Sequence, residues 1–113
     1  MEVVRRVKVF RSYYKEFYVA QTDAVREKID QVIELVKYSE IIPAVYLRKI
    51  INVPGLYEIR VRYAGNIYRI FCCFDEGCFV ILFHGFHKQS QKTPSSEIKK
   101  AKRIMKEYFD TKR

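Results

Sequence analysis

A chain of 113 residues fits one compact domain and is too short for two ordinary ones, and 49% apolar residues are enough core material to exclude disorder. The longest apolar run, Cys78 to Phe83, is far short of a membrane-spanning helix, and the opening residues Met1 to Arg6 lack an apolar signal core, so a cytoplasmic protein with no membrane contact is expected. Lys and Arg number 22 against 13 Asp and Glu, a formal charge of +9 that points to a polyanionic partner.

The opening segment Val3 to Phe10 is rich in β-branched residues and alternates from Arg6 onward, which predicts a strand. Tyr13, Tyr14, Phe17 and Tyr18 then suggest a short helix. Val25, Ile29, Val32, Ile33 and Val36 recur at helical spacing behind a cap at Thr22 or Asp23. The two form a helical hairpin or one bent helix, ended by Pro43. Four strands are expected next, over 46–51, 57–63, 67–74 and 78–86, separated by turn sequences of hairpin length that make them antiparallel neighbours. The last of them is apolar throughout its first half, as a strand covered on both faces would be. A final helix is predicted with Thr93 as N-cap, Pro94 at its first position, and a buried stripe of Ile98, Ala101, Met105 and Tyr108. The expected fold is α+β: a curled antiparallel β-sheet carrying two N-terminal helices and a C-terminal helix, packed mainly on one face, in a single domain over 1–113.

The charge is unevenly placed. From His84 to Arg113 there are nine basic and three acidic residues, two thirds of the net excess. Three cysteines, two of them adjacent at Cys72 and Cys73 and none in a C-x-x-C, give neither a disulfide framework nor zinc spacing, and reduced strand cysteines are expected. No Gly-rich phosphate loop, nucleophile elbow or paired-carboxylate arrangement occurs, so neither a cofactor nor a metal is expected.

Two clusters remain. In the first, Glu58, Arg60 and Arg62 alternate with Tyr57, Ile59, Val61 and Tyr63, and the two-residue loop Ala64–Gly65 places Arg60 opposite Arg69; a slip of one residue would put them on opposite faces. Such arginines either meet an anion or merely solubilise a sheet face. The second cluster, His84 to Pro94, joins the apolar strand to the basic helix. It gathers two histidines, two lysines and a helix start, features that favour phosphate. This inventory suits RNA cleavage without metal, because the substrate's own 2′-hydroxyl is the nucleophile and fixed cations stabilise the developing charge.

The stretches Gly55 to Arg62, Asn66 to Ile70, and His84 to Pro94 with Glu97, Ile98 and Ala101 together resemble the RelE/ParE toxin superfamily, most closely its HigB-like, phage-related branch. Motifs cover about residues 46–109, and the order of elements covers the whole chain. The resemblance implies the toxin of a type II toxin–antitoxin system: a ribosome-dependent endoribonuclease (mRNA interferase), acting on mRNA at the ribosome and neutralised by a cognate antitoxin, typically of helix-turn-helix type. It assigns the phosphate-binding set to Arg60, Arg69, Lys88 and Lys92; Tyr68 and His87 are secondary candidates that the resemblance does not itself supply. Where the HigB-like pattern usually has two consecutive lysines this chain has Lys88–Gln89, so one cation of the motif is missing, and His87, next to Lys88, is the neighbour able to compensate as a proton donor. Two other readings stay open. One is a ParE-like inhibitor of DNA gyrase; the other is a basic RNA-binding module without catalysis, whose binding would follow from charge alone.

Overall fold

In the computed structural model, which describes residues 2–89 and 92–112, the chain begins with strand β1 (Arg6–Val9) and a pair of helices, α1 (Tyr13–Val19) and α2 (Asp23–Tyr38). Ser90 and Gln91 of the expected phosphate cluster lie outside the described residues, as do Met1 and Arg113. The Thr22 hydroxyl caps α2 by accepting from the Val25 N–H. The Tyr18 hydroxyl donates to the Asp30 carboxylate, which folds the two helices into a hairpin. Helix α2 stops at Tyr38, well before Pro43. Its unpaired carbonyls are met instead by the segment leading into β1: Val4 and Arg5 N–H donate to Lys37, and the Arg5 guanidinium donates to Val36, Ser39 and Glu40.

Four strands follow, β2 (Leu47–Lys49), β3 (Tyr57–Tyr63), β4 (Asn66–Asp75) and β5 (Phe79–Lys88), and then helix α3 (Ser95–Thr111). The sheet runs β1-β5-β4-β3-β2. From β2 to β5 neighbours are antiparallel as expected, but β1 lies parallel to β5, so the sheet is mixed. The parallel pair is possible because the α1–α2 hairpin and the following strands form a long crossover between them.

The expected packing mainly on one face is corrected by the core. Phe17, Val25, Ile29, Val32 and Val36 of the helical hairpin lie against Ile59, Val61, Ile70, Cys72, Val80 and Leu82. On the opposite face Ala101 and Ile104 of α3 lie against Ile50, Leu56, Phe71, Cys73, Ile81 and Phe83. Alternating side chains of one sheet therefore fill two cores. Of the stripe expected on α3, Ile98, Met105 and Tyr108 are partly buried beside fully buried Ala101, while Ile104, outside that stripe, is fully buried as well. Thr93 does not cap α3. The helix begins after Pro94 without a side-chain cap, and the Thr93 hydroxyl turns to Glu58 on β3.

One irregularity decides what the second half of β5 presents. Ile70 pairs with Gly85 and Cys72 with Leu82, so the single residue Phe71 faces two, Phe83 and His84. This is a β-bulge. Phe83 and His84 both lie on the α3 side, and every later side chain of β5 changes face. Phe86 and Lys88 join the α3 face, while Gly85 and His87 join the hairpin face. Gly85 sits directly under the Phe17 ring, where a Cβ would come within 2.6–2.8 Å of ring carbons. Gly85→Ala should therefore destabilise the fold by about 1–3 kcal/mol, with part of the loss restored by Phe17→Leu; urea denaturation of the three proteins measures this.

Candidate phosphate-binding site

Helix α3 covers only part of its face of the sheet. Beyond its N-terminus the strands are open, and there the β3–β4 hairpin and the end of β5 line a concavity of about 480 Å³. Arg60, Arg62, Asn66, Ile67, Arg69, Lys88 and Gln89 line it. The hairpin register is the one its turn demands. Ala64 and Gly65 both take positive φ, Tyr63 pairs with Asn66, and Arg60 stands directly opposite Arg69. Arg62 stands opposite Ile67, and Ile67 opposite Lys88, which brings Lys88 onto the arginine face.

Arg69 is the buried member, 1% exposed. Its Nε lies 3.3 Å from Glu58 Oε2, and Glu58, 8% exposed, also accepts from the Thr93 hydroxyl at 3.2 Å. The ion pair is close in distance but off the direction of a hydrogen bond, so Nε of Arg69, like Nε of Arg60, is a buried donor without an acceptor. The electrostatics agree. Burial pushes the Arg69 guanidinium down to about 10, Glu58 opposes the shift, and Arg60, Arg62 and Arg48 add to it by repulsion. Lys88 is lowered by burial and then by Arg69, Arg60 and Arg62. Arg60 is lowered by burial and by Arg48, which stands opposite Glu58 on β2. Cations that depress one another in this way are relieved by an anion, and their forked and ammonium donors suit phosphate oxygens.

The structure thus brings Arg60, Arg69 and Lys88 together. Lys92 is exposed in the turn before α3, next to Thr93 and outside the lining of the concavity. Tyr68 is buried in the hairpin-side core, and the His87 ring stacks on it at 4.8 Å. Both point to the face opposite Arg69. His87 nevertheless also lines the concavity, beside Asn66 and Gln89, with Nε2 3.1 Å from Asn66 Oδ1 and Nδ1 3.0 Å from Gln89 Nε2. Arg62 and Glu58 lie on the face that the sequence alternation gives them, outside the assigned phosphate set, and Glu58 pairs with Arg69 as an acidic residue on that face could; Arg48 is the site residue that sequence did not single out. The registration of the short strand carrying Arg48 has no sequence signal.

His84 serves the framework. It is 4% exposed, tilts against Phe71, and its Nε2 lies 3.1 Å from Glu97 Oε1, which holds the first turn of α3 to the bulge. Burial, then Lys100, pushes its imidazole below the ordinary 6.5, against the pull of Glu97. At the far end of the helix Tyr108 and Lys112 both donate to Asp75 at 2.6 Å.

A family model described as phage-derived protein, Gp49-like, matches residues 16–106 of this chain. No curated protein matches it. Among solved structures it is similar to the archaeal RelE–RelB complex from Pyrococcus horikoshii OT3, at 13% identity and a TM-score of 0.55 over 74% of this chain and 94% of that one. It is also similar to the RelB–RelE antitoxin–toxin complex from Methanococcus jannaschii, at 18% identity and a TM-score of 0.54 over 77% of this chain and 99% of that one. At these identities the likeness is one of fold.

The His84 environment has a measurable consequence. A histidine held neutral in the folded state binds a proton more readily in the unfolded chain, so its contribution to stability is complete above about pH 6.5 and is lost as the pH falls below it. The urea midpoint should drop between pH 7.5 and pH 5, and His84→Gln should flatten that slope.

Proposed function

The chain belongs to the Gp49-like family of phage-derived proteins and has the RelE fold, and from this premise we propose that it is the toxin of a toxin–antitoxin pair, acting as a metal-independent endoribonuclease on mRNA at the ribosome. The observation that carries the reading is the buried Arg69, set with Arg60, Arg62 and Lys88 around an open concavity. Four cations with a single, already paired carboxylate form a site for a phosphodiester and a poor one for a divalent metal.

In that site the 2′-hydroxyl of the bound RNA gives up its proton to water as its oxygen attacks the adjacent phosphorus, and the bond to the 5′-oxygen breaks, leaving a 2′,3′-cyclic phosphate and, once that oxygen is protonated, a 5′-hydroxyl. Arg69 and Arg60 face the non-bridging oxygens, where negative charge grows in the pentacovalent transition state. Preorganised donors of this kind contribute about 10²- to 10³-fold each. Lys88, its ammonium made more acidic by burial and by the arginines, is the group suited to protonate the departing 5′-oxygen. Arg62 and Lys92 extend the cationic surface toward flanking phosphates. DNA lacks the nucleophile and would not be cut. The exposed Lys99, Lys102, Arg103 and Lys106 on the outer face of α3 suit docking on ribosomal RNA or on an acidic antitoxin, a partner whose helix-turn-helix type is the expectation from sequence.

Expression without antitoxin should arrest growth with cleaved mRNA and halted translation. Arg69→Ala should abolish the arrest while the protein accumulates in soluble form. Cleavage by purified protein with and without ribosomes, in the presence of EDTA, tests the ribosome and metal parts of the proposal. Blocked replication with continuing translation would favour gyrase inhibition, and salt-dependent RNA binding without cleavage would favour a non-catalytic module.

A further inference from the structure

Glu58 is the acidic residue within the cationic face. It sits on β3 opposite Arg48 and Phe71, two residues from Arg60 and diagonal to Arg69. A buried carboxylate beside the phosphate-binding groups weakens attraction for an anion, although its charge offsets the burial of Arg69. Its contacts give it a second task. Oε2 faces the Nε edge of Arg69 at 3.3 Å and accepts from the Thr93 hydroxyl at 3.2 Å. A guanidinium is planar and rigid, so a charge fixed at its Nε edge sets the plane and the direction of the remaining donors. Thr93, two residues ahead of α3, fixes the carboxylate in turn. Thr93, at the approach to α3, is thereby tied to the orientation of the buried arginine.

We propose that Glu58 is the positioning residue of this site: its charge at the Nε edge, together with the Tyr68 carbonyl 3.5 Å from Nη1, keeps the Arg69 guanidinium on the lining of the concavity, and it takes its own orientation from Thr93. This rests on the phosphate reading of the concavity. It carries a signature that a purely structural role lacks. Removing the negative charge strengthens attraction for RNA, while freeing the Arg69 plane weakens transition-state stabilisation, so binding and turnover move in opposite directions.

The test is steady-state cleavage of RNA by wild type, Glu58→Ala, Glu58→Gln and Thr93→Val, with folding followed by denaturation. Glu58→Ala should lower kcat by as much as about 100-fold, the scale of a misaligned catalytic group, with KM unchanged or lower. Glu58→Gln, which keeps the shape and one acceptor, should lose less, and Thr93→Val less again. Turnover within about twofold of wild type in Glu58→Ala, or losses that only track lost folding stability across the series, would overturn the proposal. A second readout does not depend on catalysis: the Arg69 Nε–H resonance in nitrogen–proton spectra. It should shift in Glu58→Gln while that of Arg62 stays in place, and an unmoved Arg69 signal would sink the proposal even in a protein that cleaves RNA. Failure of the wild type to cleave RNA at all would instead defeat the nuclease reading, with the Arg69 resonance still deciding the positioning role.

Discussion

The buried pair of Arg69 and Glu58 is the constraint around which the open face of the sheet is arranged. A guanidinium taken almost wholly out of water is tolerable only with an opposite charge beside it, and Glu58 is placed for this by the antiparallel register of β3 and β4. The pairing is incomplete in direction, since Arg69 Nε has no aligned acceptor. Arg60, Arg62 and Lys88 then surround a site that already holds excess positive charge, and burial first, with their mutual repulsion added, lowers the proton affinities of Arg69 and Lys88. The protein thus keeps a set of cations close together and partly dehydrated, an arrangement stabilised by a bound anion.

The bulge opposite Phe71 is what completes that set. With regular alternation through Phe83 and His84, Lys88 would face the α1–α2 hairpin and His87 would face the arginines. The extra residue reverses this assignment. It puts Lys88 beside the arginines, leaves His87 stacked on Tyr68, and brings Gly85 under the Phe17 ring, where no side chain fits. The same bulge turns His84 toward Glu97, so a local irregularity of one strand fixes both a cation of the site and the start of the helix next to it.

Helix α3 is held along its length: Thr93 on Glu58, Glu97 on His84, Arg11 on Glu107, and Tyr108 with Lys112 on Asp75. Between these anchors its apolar side fills the second core, and its outer side stays free to present Lys99, Lys102, Arg103 and Lys106. The charge concentrated near the C-terminus therefore has two separate placements. Part of it is set around the concavity, and the larger part lies on a solvent-facing helix, where a polyanionic surface would meet it over a wide area.

Local pattern was enough to read most elements. The 3.6-residue period of α2 and the strict alternation of Tyr57 to Tyr63 are properties of neighbouring residues, and both helix and strand appear with those residues. The turn Ala64–Gly65 likewise fixed the opposition of Arg60 and Arg69, because a two-residue hairpin allows one register. What could not be read depends on contacts distant in sequence. The end of α2 is set by Arg5 rather than Pro43, the parallel place of β1 by the crossover, and the seating of α3 on the opposite face by which alternate residues of β4 and β5 remained uncovered. The faces of Lys88 and His87 turned on a bulge with no signature in composition or spacing, and Thr93 left its expected capping role because a buried carboxylate offered its hydroxyl a better partner. Sequence by itself determined the elements, the basic character and the arginine pair; only the tertiary structure decided which cations share one concavity, because a side chain's face depends on register accumulated along the whole sheet.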